Sequence, residues 1–174
     1  MKKIYILVPL FFLSTLSAKV LISPQEAMKE NYTQSTTVLK KNIVLSTKET
    51  QAIQKEAKVK LRTNKYTVFI AKNSKKTLGY GILINKKVRS RNAVILYLIE
   101  NNRLKGIEII AFNEPHEYLP SKTWQKQFQN KSTDTMLQLQ KDIPLITGAT
   151  LSAKSIIDAS HIAFAIYHQI IQGE

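Results

Sequence analysis

The chain has 174 residues, 44% of them hydrophobic, a formal net charge of +14 and no cysteine. That composition excludes a disordered chain and a disulfide-stapled module, and the length suits one domain with a sizeable core. The charge is uneven: residues 40–91 hold 15 basic and 2 acidic residues, whereas residues 92–174 hold 7 and 8. Such a field favours an acidic partner or an anionic membrane surface, although a solvated basic face needs no partner.

The N-terminus reads as a targeting segment. Met1-Lys2-Lys3 is a positive start, residues 4–13 are apolar, and residues 14–18 are mostly small. This is the pattern of a signal peptide, residues 1–18, with cleavage after Ala18. The apolar run is shorter than the ~20 residues a membrane-spanning helix needs. Left uncut, it would serve as an N-terminal anchor. The domain then covers residues 19–174, and its expected location is the periplasm. Nucleic acid, the usual partner of so basic a chain, is not expected there.

The elements follow in chain order. Ser23 before Pro24 predicts a capped helix over residues 24–31. Residues 36–45 alternate loosely and read as an edge strand. Ser46-Thr47-Lys48-Glu49 is a capping box, which predicts a helix over 47–57. Residues 66–71 and 78–84 read as strands joined by a polar turn at 72–76. Residues 93–100 and 103–112 read as a second pair, turned by Asn101-Asn102, because Asn tolerates the positive φ of a tight hairpin. Two hairpins imply an antiparallel sheet. A loop covers residues 113–118. A helix starting at Pro120 or Ser121 should carry Trp124 and Phe128, and a short one should run from Thr133 to about Gln140. The last helix, about 151–171, has Ile156, Ala159, Ala163, Phe164, Tyr167, Ile170 and Ile171 on one side, the spacing of a buried face. The fold class is α+β: a twisted antiparallel sheet packed with helices.

The stretch before that last helix is the chemically suggestive one. Thr147-Gly148-Ala149-Thr150 is a tight corner of small residues that opens directly into the helix. Free backbone N–H groups and the helix dipole favour an anion at such a point. Gly148 permits a positive φ or a close approach, Ala149 adds no bulk, and Thr147 and Thr150 bring two hydroxyls. The arrangement is a phosphate seat with an alcohol in it. Many helices nonetheless begin after Gly with a Ser or Thr cap and bind nothing.

Other chemistries find less support. His161 and His168 lie seven residues apart with Asp158 in line, and two turns is too long for one metal ion; an ordinary exposed helix face is the expectation. There is no G-x-S-x-G elbow, no P-loop, no HExxH and no CxxC. Capping accounts for Ser152 and Ser155.

Asp142-Ile143-Pro144-Leu145-Ile146-Thr147-Gly148-Ala149-Thr150-Leu151-Ser152 resembles the flavin-attachment signature of FMN-binding domain proteins. These include the flavin-carrying subunits of the Rnf complex and of sodium-translocating NADH:quinone oxidoreductase. Upstream, Ser23-Pro24-Gln25-Glu26-Ala27 resembles the family's opening helix, and Glu114, Trp124, Phe128 and Lys131-Ser132 fall in the order of its middle segment. The chain departs from the pattern at Pro144, where the family usually has Asp, and at His116-Glu117. The resemblance implies an exported electron carrier whose FMN is esterified through its phosphate to Thr150 by a separate flavin transferase using FAD. It implies a membrane redox complex, or another electron donor and acceptor, as partner. The implied FMN contacts are Thr147, Gly148, Ala149, Thr150, Leu151, Ser152, Glu114 and Trp124. Trp124, Phe128 and Tyr118 are candidates to lie against the flavin ring, with plain core packing the alternative and the stronger one for Phe128; Glu114 and Lys131 are open to being surface charges. The competing class is a non-flavin periplasmic adaptor that uses the basic region 40–91 to hold an acidic or membrane partner.

Overall fold

The structure is a computed structural model and describes residues 20–172. The signal peptide expected at residues 1–18 therefore lies outside the described residues. One five-stranded antiparallel sheet runs in sequence order: β1 (Thr37–Val44), β2 (Lys65–Lys72), β3 (Thr77–Lys87), β4 (Asn92–Glu100) and β5 (Arg103–Phe112). The two expected hairpins form β2–β3 and β4–β5, and the loosely alternating stretch is indeed an edge strand, with β5 at the other edge. Asn101 and Asn102 take φ of 50° and 59°, as the β4–β5 turn requires.

Both faces of the sheet are covered. The larger core joins α2 (Thr47–Ala57) and α4 (Thr150–Ile166) to one face, through Ile53, Ile82, Ile95, Tyr97, Ile156 and Ala163 among others. The smaller core packs α1 (Pro24–Asn31) on the other face through Met28, Tyr32, Phe69, Leu96 and Leu98. Period-two alternation sends neighbouring residues of β4 to opposite cores, so an unbroken apolar run is buried on both sides. Ser46 and Glu49 form the expected capping box of α2, and Ser23 caps α1.

Two strand edges are treated differently. Along β5, Val20 bridges Ala111 and Ser132 bridges Arg103. The outer edge of β1 carries Lys40 and Lys41, charges that discourage pairing with another chain.

Three expectations are corrected. Residues 133–140 form turns instead of a helix. Thr133 is tied to the β4–β5 turn instead, its N–H and its hydroxyl both donating to Asn102 O, at 3.0 and 3.1 Å. Gln140 takes φ of 69°, and Asp142 Oδ2 accepts the N–H of Gln138 at 2.8 Å, so tertiary hydrogen bonds win over helix propensity. The helix carrying Trp124 is a single turn, α3 (Lys122–Gln125), and Phe128 sits in the tighter 3-10 turn that follows. The last helix starts at Thr150 and widens into a π-helical segment over Tyr167–Ile171. That wider segment carries Tyr167 to Asn102 Oδ1 at 2.7 Å and His168 to Glu56 Oε1 at 2.6 Å and Thr133 Oγ1 at 3.1 Å. His161 and His168 are thus part-buried, hydrogen-bonded groups and not an exposed face; His161 Nε2 is hydrogen-bonded to Leu137 O at 2.9 Å.

Candidate functional site

The corner is built by its own backbone. Ala149 N–H donates to Ile146 O at 3.0 Å, closing a turn over Thr147 and Gly148. Gly148 takes φ of +79° with open space where a Cβ would stand, so the conformation, and no crowding, calls for glycine. Ala149 is the N-cap of α4 and supplies no side-chain cap. The first helical bond runs from Ala153 N–H to Ala149 O at 3.1 Å. The N–H groups of Thr150, Leu151 and Ser152 therefore precede the ladder. Thr147, Gly148 and Thr150 are exposed, and Leu151 is 49% exposed.

Ser152 and Ser155, expected as caps, do other things, because Ala149 already holds the cap position. Ser155 hydroxyl donates to Val88 O at 3.4 Å, which ties the start of α4 to the β3–β4 turn. Ser152 is 1% exposed and its Oγ has no hydrogen-bond partner. A buried hydroxyl without a partner is costly, by roughly 1–3 kcal/mol. It belongs to the third residue of α4, on the buried side of the helix's first turn.

The approach to the corner is pinned from the side. Trp124 Nε1 donates to Pro144 O at 2.8 Å, and its ring meets Phe128 edge-on at a centroid distance of 5.2 Å. Ser121 caps the turn that presents Trp124, accepting its N–H at 3.2 Å. Trp124 is 7% exposed and Phe128 fully buried, so both belong to the core while Trp124 also holds the motif segment in place.

Glu114 is not a surface charge. It is 7% exposed, and its Oε1 accepts the backbone N–H groups of Arg89, Ser90 and Arg91 at 3.0, 2.7 and 2.7 Å, with Ser90 hydroxyl reaching Oε2 at 3.2 Å. Burial alone pushes its pKa up. The N–H groups of Arg91, Ser90 and Arg89 and the Ser90 hydroxyl more than offset this, and hold it below the ordinary carboxylate value. Its bonds all go to the β3–β4 turn. The Arg89 guanidinium lies 4.5 Å above the Tyr118 ring, and Arg89, Arg91, Glu114 and Tyr118 help line an open cavity of about 620 Å³. Because Ser155 binds Val88 in that turn, this cavity and the first turns of α4 are neighbours. Arg89 and Arg91 are the contributors that sequence reading missed. The polar run 88–91 between two apolar strands marks a turn, but nothing in it announces which carboxylate the turn encloses. Lys131 uses its backbone, accepting Leu104 N–H at 2.8 Å.

The arrangement can hold an anion at the start of α4 with donors from backbone and hydroxyl, beside a cavity edged by two guanidiniums. No protein-family model matches the chain. No curated protein matches it either. Among solved structures, the crystal structure of NqrC from Shewanella oneidensis is similar, with a TM-score of 0.59 and 15% sequence identity, covering 85% of this chain and 88% of that one. A likeness at that identity establishes a shared fold.

Proposed function

We propose that this chain is an exported FMN-binding electron-transfer protein, with FMN esterified through its phosphate to Thr150. The observation that carries the reading is the first turn of α4. There, the N–H groups of Thr150, Leu151 and Ser152 precede the helical ladder at an exposed corner that also presents the Thr150 hydroxyl. Those N–H groups and the exposed Thr150 hydroxyl are the donors a phosphate needs, so the residues present fit the group. The flavin signature resembled by residues 142–152 and the fold shared with NqrC support the same reading.

In this reading each residue has a role. Gly148 turns the chain so that the helix start faces outward. Thr150 supplies the hydroxyl that joins the phosphate, and its exposure leaves it open to a modifying enzyme. The alcohol is a weak nucleophile at neutral pH, so activation comes from the flavin transferase. With FAD as donor, the Thr150 oxygen would bond to the FMN phosphorus as the bond to AMP breaks, and AMP would leave carrying the hydroxyl proton. Trp124 holds the Ile146 side of the corner through Pro144 and keeps the seat rigid. Bound FMN would supply one- and two-electron transfer, and the protein would fix its position and tune its potential. The periplasm and a membrane redox complex are the proposed setting. Among the described residues no helix is long and apolar enough to cross a membrane.

The test is intact mass after denaturation, on protein from cells that contain a flavin transferase. The expected result is the mass of FMN less one water, abolished by Thr150→Ala and retained by Thr147→Ala. Reversible flavin binding without an adduct would leave only the seat. A colourless protein with no saturable flavin binding would overturn the proposal.

A further inference from the structure

The sheet does not close along its whole length. β2 and β3 pair from Lys72–Thr77 to Thr67–Leu83. Beyond Thr67, Tyr66 and Lys65 pair only with Ile43 and Val44 of β1, while β3 runs on from Ile84 to Lys87 paired only with β4. The two strands diverge, and a cavity of about 240 Å³ opens in the fork.

Its lining is of two kinds. Lys60 and Arg62, from the loop after α2, Lys65 at the start of β2, and Lys86 on the free stretch of β3 bring four cations to it. Ile84 and Ile162 are among its apolar lining. Among the described residues none of the four cations is in an ion pair with a carboxylate. Asp158 of α4 is a counter-charge that acts on Lys86. Burial lowers the Lys86 pKa; Asp158 opposes that and Arg62 adds to it. Lys86 is half-buried and pays a desolvation cost, and the three exposed cations around the same apolar floor add mutual repulsion. An anion at the rim relieves the repulsion, and an apolar body fills the fork. The volume lies below the ~300–1,000 Å³ usual for drug-sized ligands, which selects a small molecule.

We propose that the fork between β2 and β3 is a binding site for a small amphipathic anion, an apolar body bearing one carboxylate. The site is independent of the flavin seat. Ile162 is twelve residues along α4 from Thr150, about 18 Å at 1.5 Å per residue.

Calorimetric titration of the purified chain with octanoate tests this, with octanol and acetate as probes that lack the charge or the apolar body. Octanoate is expected to bind saturably and at least tenfold more tightly than either. Lys86→Gln and Arg62→Gln are each expected to weaken it about tenfold. Lys40→Gln, the same charge change on the outer edge of the sheet, is expected to leave it within twofold. Octanoate should also raise the Lys86 pKa followed by NMR. Equal binding of octanol, an equal loss with Lys40→Gln, or no saturation would each overturn the proposal. Arg62 is exposed on a loop, so Arg62→Gln reports even where Lys86→Gln fails to fold. Thr150→Ala should bind octanoate as the wild type does, which separates this site from the flavin reading.

Discussion

Two residues at the site carry opposite stability signatures. Ser152 Oγ is buried without a partner, so Ser152→Ala should stabilise the flavin-free protein by about 0.5–1 kcal/mol. The same change leaves the exposed donors of the seat in place and should keep FMN binding within about twofold. Urea unfolding and a flavin titration of one variant measure both; a loss of stability would mean the hydroxyl is bonded after all. Glu114 behaves in the other direction. Its folded pKa lies below its ordinary value, so its contribution is present above about pH 4.5 and is lost as pH falls through the lower folded value. Glu114→Gln should therefore cost about 1–2 kcal/mol at pH 7 and nearly nothing at strongly acid pH, where the wild type is protonated too. A pH series of unfolding midpoints for the two proteins checks this, and a difference that does not shrink on acidification would count against the charged cradle.

At the scale of elements, the contact between α1 and the sheet depends on a residue without a side chain. A Cβ on Gly79 would stand 2.5 Å from the Tyr32 ring. That ring is rigid, and its hydroxyl donates to Ile99 O at 3.0 Å. Gly79→Ala should push α1 outward, break that bond and destabilise by about 1–3 kcal/mol, read as a lower urea midpoint. Gly148→Ala meets no atoms and strains only φ, so it should cost about 1–2 kcal/mol. Adding to the first variant a substitution that shortens residue 32 should recover stability only at Gly79; recovery at Gly148 would contradict the distinction between crowding and backbone strain.

For the whole molecule, charge distribution is the largest unbalanced quantity. Residues 40–91 hold 15 basic and 2 acidic residues, carried by β1, β2, β3 and the loops between elements while α2 is balanced, and the Lys105–Glu100 and Lys122–Glu108 ion pairs lie outside that half. Self-repulsion of this kind is screened by salt. Raising ionic strength from about 0.01 M to about 0.15 M shortens the screening length from about 30 Å to about 8 Å. The Tm should rise by about 2–4 °C, equivalent to about 1 kcal/mol for a domain of this size. A flat or falling Tm in a salt series would show that the basic half is already compensated.

Local chemistry determined much of the fold directly. Ser23-Pro24 and the box at Ser46 and Glu49 start α1 and α2, Asn101-Asn102 turns the last hairpin, and apolar alternation locates the strands, because capping, φ preference and side-chain period act within a few residues. The corner before α4 was legible for the same reason: Gly148 and the helix start need no distant partner. Tertiary structure decided the rest. Thr133 looked like a helix cap, but both its donors tie it to Asn102 O, 31 residues away. Ser152 looked like a cap until packing buried it with no partner. Glu114 looked free until the turn at 89–91 closed around its carboxylate. The fork between β2 and β3 was hidden entirely, since it depends on where two ladders stop and not on what either strand contains. Hydrogen bonds between residues far apart in sequence carry no local signature, and they outweigh the few tenths of a kcal/mol by which intrinsic propensity separates helix from turn.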